Sequence, residues 1–328
     1  MSTFNKISMQ NNRWYDYFLE SLSEKYPKKV HLTQALMSLL DIEREAVYRR
    51  LRKDILFPFH EIVTIASAWN ISLDKITGIN AGLVPFQMHP INYANLSKKD
   101  IQYLQQVIQI TRQMGEFPDS EAMNICNRLP CSLFVGFKHL HKFYLFKWLY
   151  QYGDVEKTVP LSQIAVPAKK LDMTAEYYQA TKLVSNTIFV LDSLIFDYLV
   201  HDVRYFHSIW MITDEEKELI KKDLRNLLDY MFEIANKGCF PETQNKVALC
   251  ISLLNINTNY SYIYTKETKA CYIHVFDKHE LQSFDANMVT NFKAWMQLKK
   301  KTSFQISEVD EVRRIEFFTK QYKLIEEL

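Results

Sequence analysis

The chain has 328 residues, of which 48% are hydrophobic and 24% are charged. This length allows two or three domains and a sizeable core, whereas the scarcity of glycine, with 6 residues, argues against phosphate-cradling loops and against a turn-rich β-sandwich. The formal net charge of +2 excludes a polycation that coats nucleic acid, so any contact with nucleic acid must be confined to a local surface.

Cysteine usage and hydropathy predict a cytoplasmic protein. The 5 cysteines stand at irregular spacing without a CxxC pair, which favours reduced thiols. The most apolar window, residues 183–200, contains Asn186, Asp192 and Asp197, which would be costly inside a bilayer. We therefore interpret this window as a buried helix and predict no membrane span.

Residues 13–80 predict five short helices joined by very short turns, after a polar tail over residues 1–12 that is predicted to be disordered. Apolar residues spaced by four define the inward face of the first helix. Thr33 is placed to cap the second helix. The fifth helix covers residues 72–78.

The third helix lies within LLDIEREAVYRRLRKD (residues 39–54) and carries apolar and polar residues on different sides. Ile42, Val47 and Leu51 form its apolar stripe. Asp41 falls at the tight turn before the helix, where a left-handed backbone conformation is needed. The outward side and the end of the helix carry the candidate DNA contacts, which are Arg44, Glu45, Tyr48, Arg49, Arg52 and Lys53.

Two interpretations of this helix compete. Arginine is the side chain best shaped to pair with guanine in the major groove, and Arg or Lys nearer the helix end suits phosphate. The alternative is a solvated surface with ion pairs such as Glu45–Arg49 at i, i+4. The array of short helices around this segment favours the DNA-binding interpretation.

Three segments resemble the lambda-repressor-like family of helix-turn-helix DNA-binding domains, the Cro/C1 type. They are TxxLMxxLDI (33–42), REAVYRRLRK (44–53) and EIVTIASAWNISLDKITG (61–78). The resemblance covers residues 13–80 only. It implies that Arg44, Glu45, Tyr48 and Arg49 face bases and that Thr33 faces the phosphates at the start of the second helix.

This chain departs from the family pattern at four positions. The family often has Gln, Ala, Gly and Ser where this chain has Thr33, Met37, Asp41 and Glu43, respectively. Glu43 is a poorer helix cap than Ser, and Met37 is bulkier at the contact between the second and third helices. Both differences affect the register of the third helix.

Residues 81–97, with several proline and asparagine residues, predict a linker. Residues 98–328 predict a mainly helical dimerisation and effector domain with a small antiparallel β-sheet near residues 257–306. Its predicted helices cover residues 98–115, 119–128, 132–152, 173–209, 214–237, 286–300 and 307–326. Alternating residues in TNYSYIYT and KACYIHVF predict a hairpin, to which TSFQIS adds a strand.

The predicted helix over residues 173–209 is rich in aromatic residues, among which Asp197, His201, Arg204 and His207 are candidates for an effector pocket. Core packing and a dimer interface are the alternative explanations of the aromatic residues. The motif inventory indicates no enzyme, no metal site and no cofactor.

The sequence therefore predicts a mainly α, sequence-specific transcriptional regulator that binds double-stranded DNA. A homodimer is expected because one short helix contacts few base pairs, and two half-sites supply affinity and specificity. The expected effector is a small molecule or a peptide. The alternative function is a protein-interaction module that uses the helix-turn-helix fold as a scaffold and does not bind DNA.

Overall fold

The chain forms two compact units, which are divided between Val84 and Pro85, inside the predicted linker. A computed structural model describes residues 13–69, 71–73, 76, 84–153, 155–276 and 279–328. The predicted tail over residues 1–12 and most of the predicted fifth helix, residues 72–78, lie outside the described residues.

The first unit consists of short helices around a small apolar core. Its described helices are α1 (Arg13–Lys25), α2 (Lys29–Leu40), α3 (Arg44–Leu51) and α4 (Phe59–Trp69). Phe18, Leu22, Leu36, Val47 and Ile65 expose no surface. Each helix therefore buries one face against the others, as the apolar spacing predicts.

The turn between α2 and α3 confirms the prediction for Asp41. This residue ends α2 in the left-handed region, with φ 51° and ψ 50°. Glu43 precedes α3 and makes no capping hydrogen bond with its side chain. The first turn of α3 therefore lacks a side-chain cap from this residue.

The second unit combines an eight-stranded sheet with helices. Its helices are α5 (Lys98–Met114), α6 (Cys131–Phe134), α7 (Lys138–Tyr152), α8 (Ala168–Thr181), α9 (Ile195–Ser208), α10 (Asp214–Lys237), α11 (Ala286–Lys301) and α12 (Glu311–Glu326). Its strands are β1 (Gln87–Met88), β2 (Glu121–Cys126), β3 (Asn186–Asp192), β4 (Lys246–Ser252), β5 (Tyr260–Tyr264), β6 (Lys269–Val275), β7 (His279–Ser283) and β8 (Ser303–Gln305).

This sheet contradicts the predicted fold class. The strand order is β1-β7-β6-β5-β2-β3-β4-β8. The pairs β2–β3 and β3–β4 are parallel, and the remaining pairs are antiparallel. The second unit is therefore a mixed α/β structure, and the prediction of a mainly α chain with a small antiparallel sheet was wrong.

The error arose in the parallel strands. The predicted helix over residues 173–209 is in fact α8, β3 and α9, and the predicted helix over residues 119–128 contains β2. Ile188 packs into the core on one face of the sheet and Phe189 into the core on the other. A strand buried on both faces has a continuous apolar run, which periodicity cannot distinguish from a buried helix.

Other elements of the second unit agree with the sequence predictions. Helix α10 has the predicted bounds, and its capping box pairs Thr213 with Glu216. Strands β5 and β6 form the predicted hairpin. Strand β8 lies in the predicted segment TSFQIS but pairs with β4 at the opposite edge of the sheet.

Candidate functional site

Arg50 connects α3 to other helices of the first unit through an ion pair and a backbone hydrogen bond. Its Nε and Nη2 atoms each donate a hydrogen bond of 2.7 Å to the carboxylate of Glu61 on α4. The two side chains are only 12% and 9% exposed. The hydroxyl of Tyr15 donates to the carbonyl of Arg50 and accepts from the amide of Phe57, at 3.1 Å each. This basic residue of α3 is therefore structural and faces away from solvent.

Arg44 and Arg49 lie on the opposite, outward side of α3. Both side chains are exposed, and neither makes an ion pair within the described part of the chain. Tyr48 lies between them on the helix and is half-buried. The ammonium of Lys29 lies 5.8 Å from the centroid of the Tyr48 ring. The outward face of α3 thus presents cationic groups that internal carboxylates do not neutralise.

The end of α3 carries exposed ion pairs. The Nη2 atom of Arg52 lies 2.9 Å from a carboxylate oxygen of Glu45, and its Nε atom lies 3.2 Å from one of Asp54. Lys53 pairs with Asp16. Exposed pairs of this kind contribute about 0–1 kcal/mol. Arg52 and Lys53 can therefore exchange these partners for phosphates at little cost.

Thr33 does not lie on this surface. Helix α2 begins at Lys29, four residues before the predicted cap, and this places Thr33 inside the helix. Its side chain has no exposed surface, and its hydroxyl donates to the carbonyl of Lys29 at 2.8 Å. We therefore remove Thr33 from the candidate contacts. Lys28 and Lys29 are exposed at the start of α2 and replace it as candidates for phosphate contact.

The four residues proposed for an effector pocket lie on α9, and three of them contact different residues. Arg204 donates to the carbonyl of Glu327 at 2.8 Å. His207 lies 2.9 Å from Asp214. On the same helix, the carboxylate of Asp197 lies 3.7 Å from the ammonium of Lys320, and His201 is exposed. The four side chains therefore do not form a common pocket. None of the four lines the cavity between the sheet and helices α5, α7 and α8 of the second unit.

That cavity has a volume of about 380 Å³ and lies against one face of the sheet. A row of paired residues across this face of the sheet changes from polar to apolar between β2 and β3. From β7 to β4 they are Gln282, Tyr272, Ser261, Asn124, Phe189 and Leu249. The apolar half of this row belongs to the core, whereas Ser261 and Asn124 of the polar half line the cavity, together with residues of α5, α7 and α8.

Asn259 shapes the chain that follows β2 at this cavity. Its side-chain oxygen accepts hydrogen bonds from the backbone amides of Asn127 and Arg128 at 2.9 and 3.1 Å. Its side-chain amide donates to the carbonyl of Arg128 at 3.2 Å. Three hydrogen bonds from one buried side chain hold this loop in place, so this edge of the cavity is preformed.

The cavity is lined by ionisable groups, of which Lys170 and His141 are buried and Glu280 is partly exposed. Lys170, on the first turn of α8, is 6% exposed, and its ammonium lies 4.9 Å from the centroid of the Tyr93 ring. Burial and the charge of Lys170 lower the pKa of His141 to about 4. Burial raises the pKa of Glu280, but the ion pair with His274 at 2.7 Å outweighs it, so the net shift is downward and Glu280 is ionised at neutral pH.

His141 should make the protein less stable in mild acid. The unfolded chain binds a proton near pH 6.5, whereas the folded chain binds it only near pH 4. Stability from this residue is therefore complete above pH 6.5 and falls between pH 6.5 and 4, by on the order of 3 kcal/mol in total. Urea unfolding at pH 7 and pH 4.5 should show a smaller difference for His141→Gln than for the wild type. Equal differences would contradict this assignment.

The sequence did not allow us to predict which residues line this cavity. They come from segments between residues 89 and 280 that meet only after the sheet forms. The available signal was polar residues at inward positions of predicted strands, such as Ser261 in the hairpin. With β2 interpreted as a helix, the polar partner of Ser261, Asn124, had no place in that pattern.

No protein-family model, no curated protein and no solved structure matches this chain. In the part of the chain that the structure describes, no helix combines the length and the hydropathy that a bilayer crossing requires.

Proposed function

We propose that this chain is a transcriptional regulator that binds double-stranded DNA through the outward face of α3. The observation that carries the proposal is that the arginines of α3 lie in two different environments. Arg50 forms a buried ion pair with Glu61 on the inward side of α3, whereas Arg44 and Arg49 are exposed on its outward side. A helix whose inward side is anchored to its own domain and whose outward side is cationic is suited to enter a major groove.

The start of α2 extends the same cationic surface. Lys28 and Lys29 are exposed there, and Lys29 lies near the ring of Tyr48 on α3. Lysine at a helix start suits a phosphate because the backbone amides of the first turn point at the same anion. In this proposal Arg44, Tyr48 and Arg49 read bases, and Lys28 and Lys29 position the domain on the backbone.

The regulator acts as a homodimer in this proposal. Helix α3 has eight residues, too few to specify a long site alone. Two copies placed one helical turn of DNA apart, about 10 base pairs, double the contacts and impose a spacing. The second unit supplies the contact between the copies, and the weight-average mass in sedimentation equilibrium tests this part of the proposal.

The salt dependence of binding tests the phosphate contacts. The logarithm of the affinity for duplex DNA should fall linearly with the logarithm of salt concentration, because bound cations release counterions. The Lys28→Ala/Lys29→Ala variant should reduce that slope by about 1–2 and weaken binding to all duplexes alike. Fluorescence anisotropy between low and moderate salt measures both quantities.

The matched control for this experiment is Lys222→Ala/Lys323→Ala, which removes the same charge from exposed sites on α10 and α12. Its slope should equal that of the wild type. Equal slopes for both double variants would contradict the assignment of Lys28 and Lys29. Wild-type binding that is absent at low salt would favour the alternative, a protein-interaction module built on the same helices.

A further inference from the structure

Strand β8 lies at one edge of the sheet and pairs with β4 alone among the described strands. Just before β8, the backbone of Thr302 bonds to the residue after β4 at 3.0 Å, and just after β8, the backbone of Ile306 bonds to β4 at 2.9 Å. Backbone groups alternate in direction along an antiparallel strand. Ser303 and Gln305 therefore direct their N–H and C=O groups away from β4, towards an open edge.

Exposed apolar side chains flank both ends of β8. At its start are Leu298, on the last turn of α11, and Leu253, whose amide donates to the carbonyl of Thr302. Just beyond its end are Val309 and Val312. Each of these four side chains is more than half exposed. Apolar side chains grouped around an open strand edge are typical of a surface that binds another chain.

The charges at the two ends of β8 have opposite signs. Lys299 and Lys301 precede the strand, Glu308 and Glu311 follow it, and all four are exposed. Within the described residues, none of the four makes an ion pair, and Lys299 lies 5.8 Å from the centroid of the Trp295 ring. Lysines alone would protect an edge from further pairing. Opposite charges at the two ends attract a strand whose charges run in the reverse order.

We propose that β8 is the contact between two copies of this chain, which pair their β8 edges in antiparallel orientation. A two-fold axis beside Phe304 places Ser303 of one copy opposite Gln305 of the other, so that their outward backbone groups bond. The same axis brings the lysines and leucines of one copy to the carboxylates and valines of the other. This inference rests on the homodimer of the proposed function and names its interface, but it does not depend on DNA binding by α3.

Sedimentation equilibrium of the full-length chain without DNA tests this interface. We expect a dimer, and Gln305→Pro should raise its dissociation constant at least about tenfold, because proline removes the outward N–H and none of the bonds to β4. A monomeric wild type would leave this edge to a strand of another protein and would overturn both the homodimer and its interface. A dimer that Gln305→Pro leaves unchanged would overturn the interface alone.

Charge reversal tests the contacts at the ends of β8, and it decides if the proline variant fails to fold. Lys299→Glu/Lys301→Glu makes both ends acidic, and Glu308→Lys/Glu311→Lys makes both ends basic. Each variant should raise the dissociation constant of its own dimer at least about tenfold, because like charges then meet. An equal mixture of the two should form a heterodimer. Homodimers as strong as that of the wild type, or a mixture that stays monomeric, would overturn the inference.

The matched control is Lys222→Glu/Lys323→Glu, which reverses the same charge at exposed sites on α10 and α12. This variant should dimerise like the wild type, because neither site flanks β8. A loss of dimer in the control as large as that in the Lys299→Glu/Lys301→Glu variant would show that net charge, and not contact at β8, controls association, and would overturn the inference.

Discussion

The Arg44→Ala/Arg49→Ala variant should lose roughly 30-fold to 10,000-fold in affinity for a duplex that the wild type selects from a random pool, because each lost contact to a guanine costs about 1–3 kcal/mol. Its affinity for unrelated duplexes should change far less, since base contacts carry the specificity. Fluorescence anisotropy with the selected and a scrambled duplex measures both. Both arginines are exposed and make no ion pair within the described residues, so the fold should be unaffected.

Two controls separate base reading from charge and from folding. The Lys222→Ala/Lys323→Ala variant removes the same charge from the second unit and should bind like the wild type. Hydrogen exchange in α3 should be the same in the Arg44→Ala/Arg49→Ala variant and in the wild type. If that variant kept both its affinity and its preference for the selected duplex, the outward face of α3 would not be the reading surface.

The largest expected loss of stability follows Arg50→Ala. This change leaves the carboxylate of Glu61 buried without its cationic partner, and breaking a buried pair in this way costs about 3–5 kcal/mol. The amides of α3 and α4 should therefore exchange faster, while those of the second unit, such as β3, should not change. Hydrogen exchange with mass spectrometry on the full-length chain measures the two units separately.

A double variant separates the contributions that the charge and the packing of Arg50 make to stability. Arg50→Met/Glu61→Leu replaces the pair with apolar side chains of similar size and should recover most of the loss. Arg50→Lys keeps the charge but cannot donate the two parallel hydrogen bonds to Glu61, so it should fall between the alanine variant and the wild type. Protection that Arg50→Ala leaves unchanged would contradict the structural role of this residue.

The sequence predicted the four helices α1 to α4 of the first unit because their signals are local. Apolar residues recur at helical spacing, and Asp41 takes the left-handed conformation that a tight turn requires. The role of Arg50 was missed because its partner, Glu61, lies on the next helix, and ion pairs between helices leave no periodic pattern. The buried position of Thr33 was missed because α2 begins earlier than its best capping residue.

In the second unit the sequence predicted elements with local signals and missed those defined by tertiary pairing. The capping box of Thr213 fixes the start of α10, and alternation predicts β5 and β6. Strands β3 and β4 are apolar on both faces, and their short length was the available clue to a strand. The cavity could not be predicted, because it exists only where Asn124 and Ser261 meet across β2 and β5.

Sequence-specific DNA binding through α3 is tested by parallel selection of random duplexes by the wild type and by the Arg44→Ala/Arg49→Ala variant. We expect the wild type to enrich one motif with two half-sites about 10 base pairs apart, and the variant to enrich none. Enrichment of the same motif by both proteins would show that α3 does not read it. Enrichment by neither would contradict sequence-specific DNA binding by this chain.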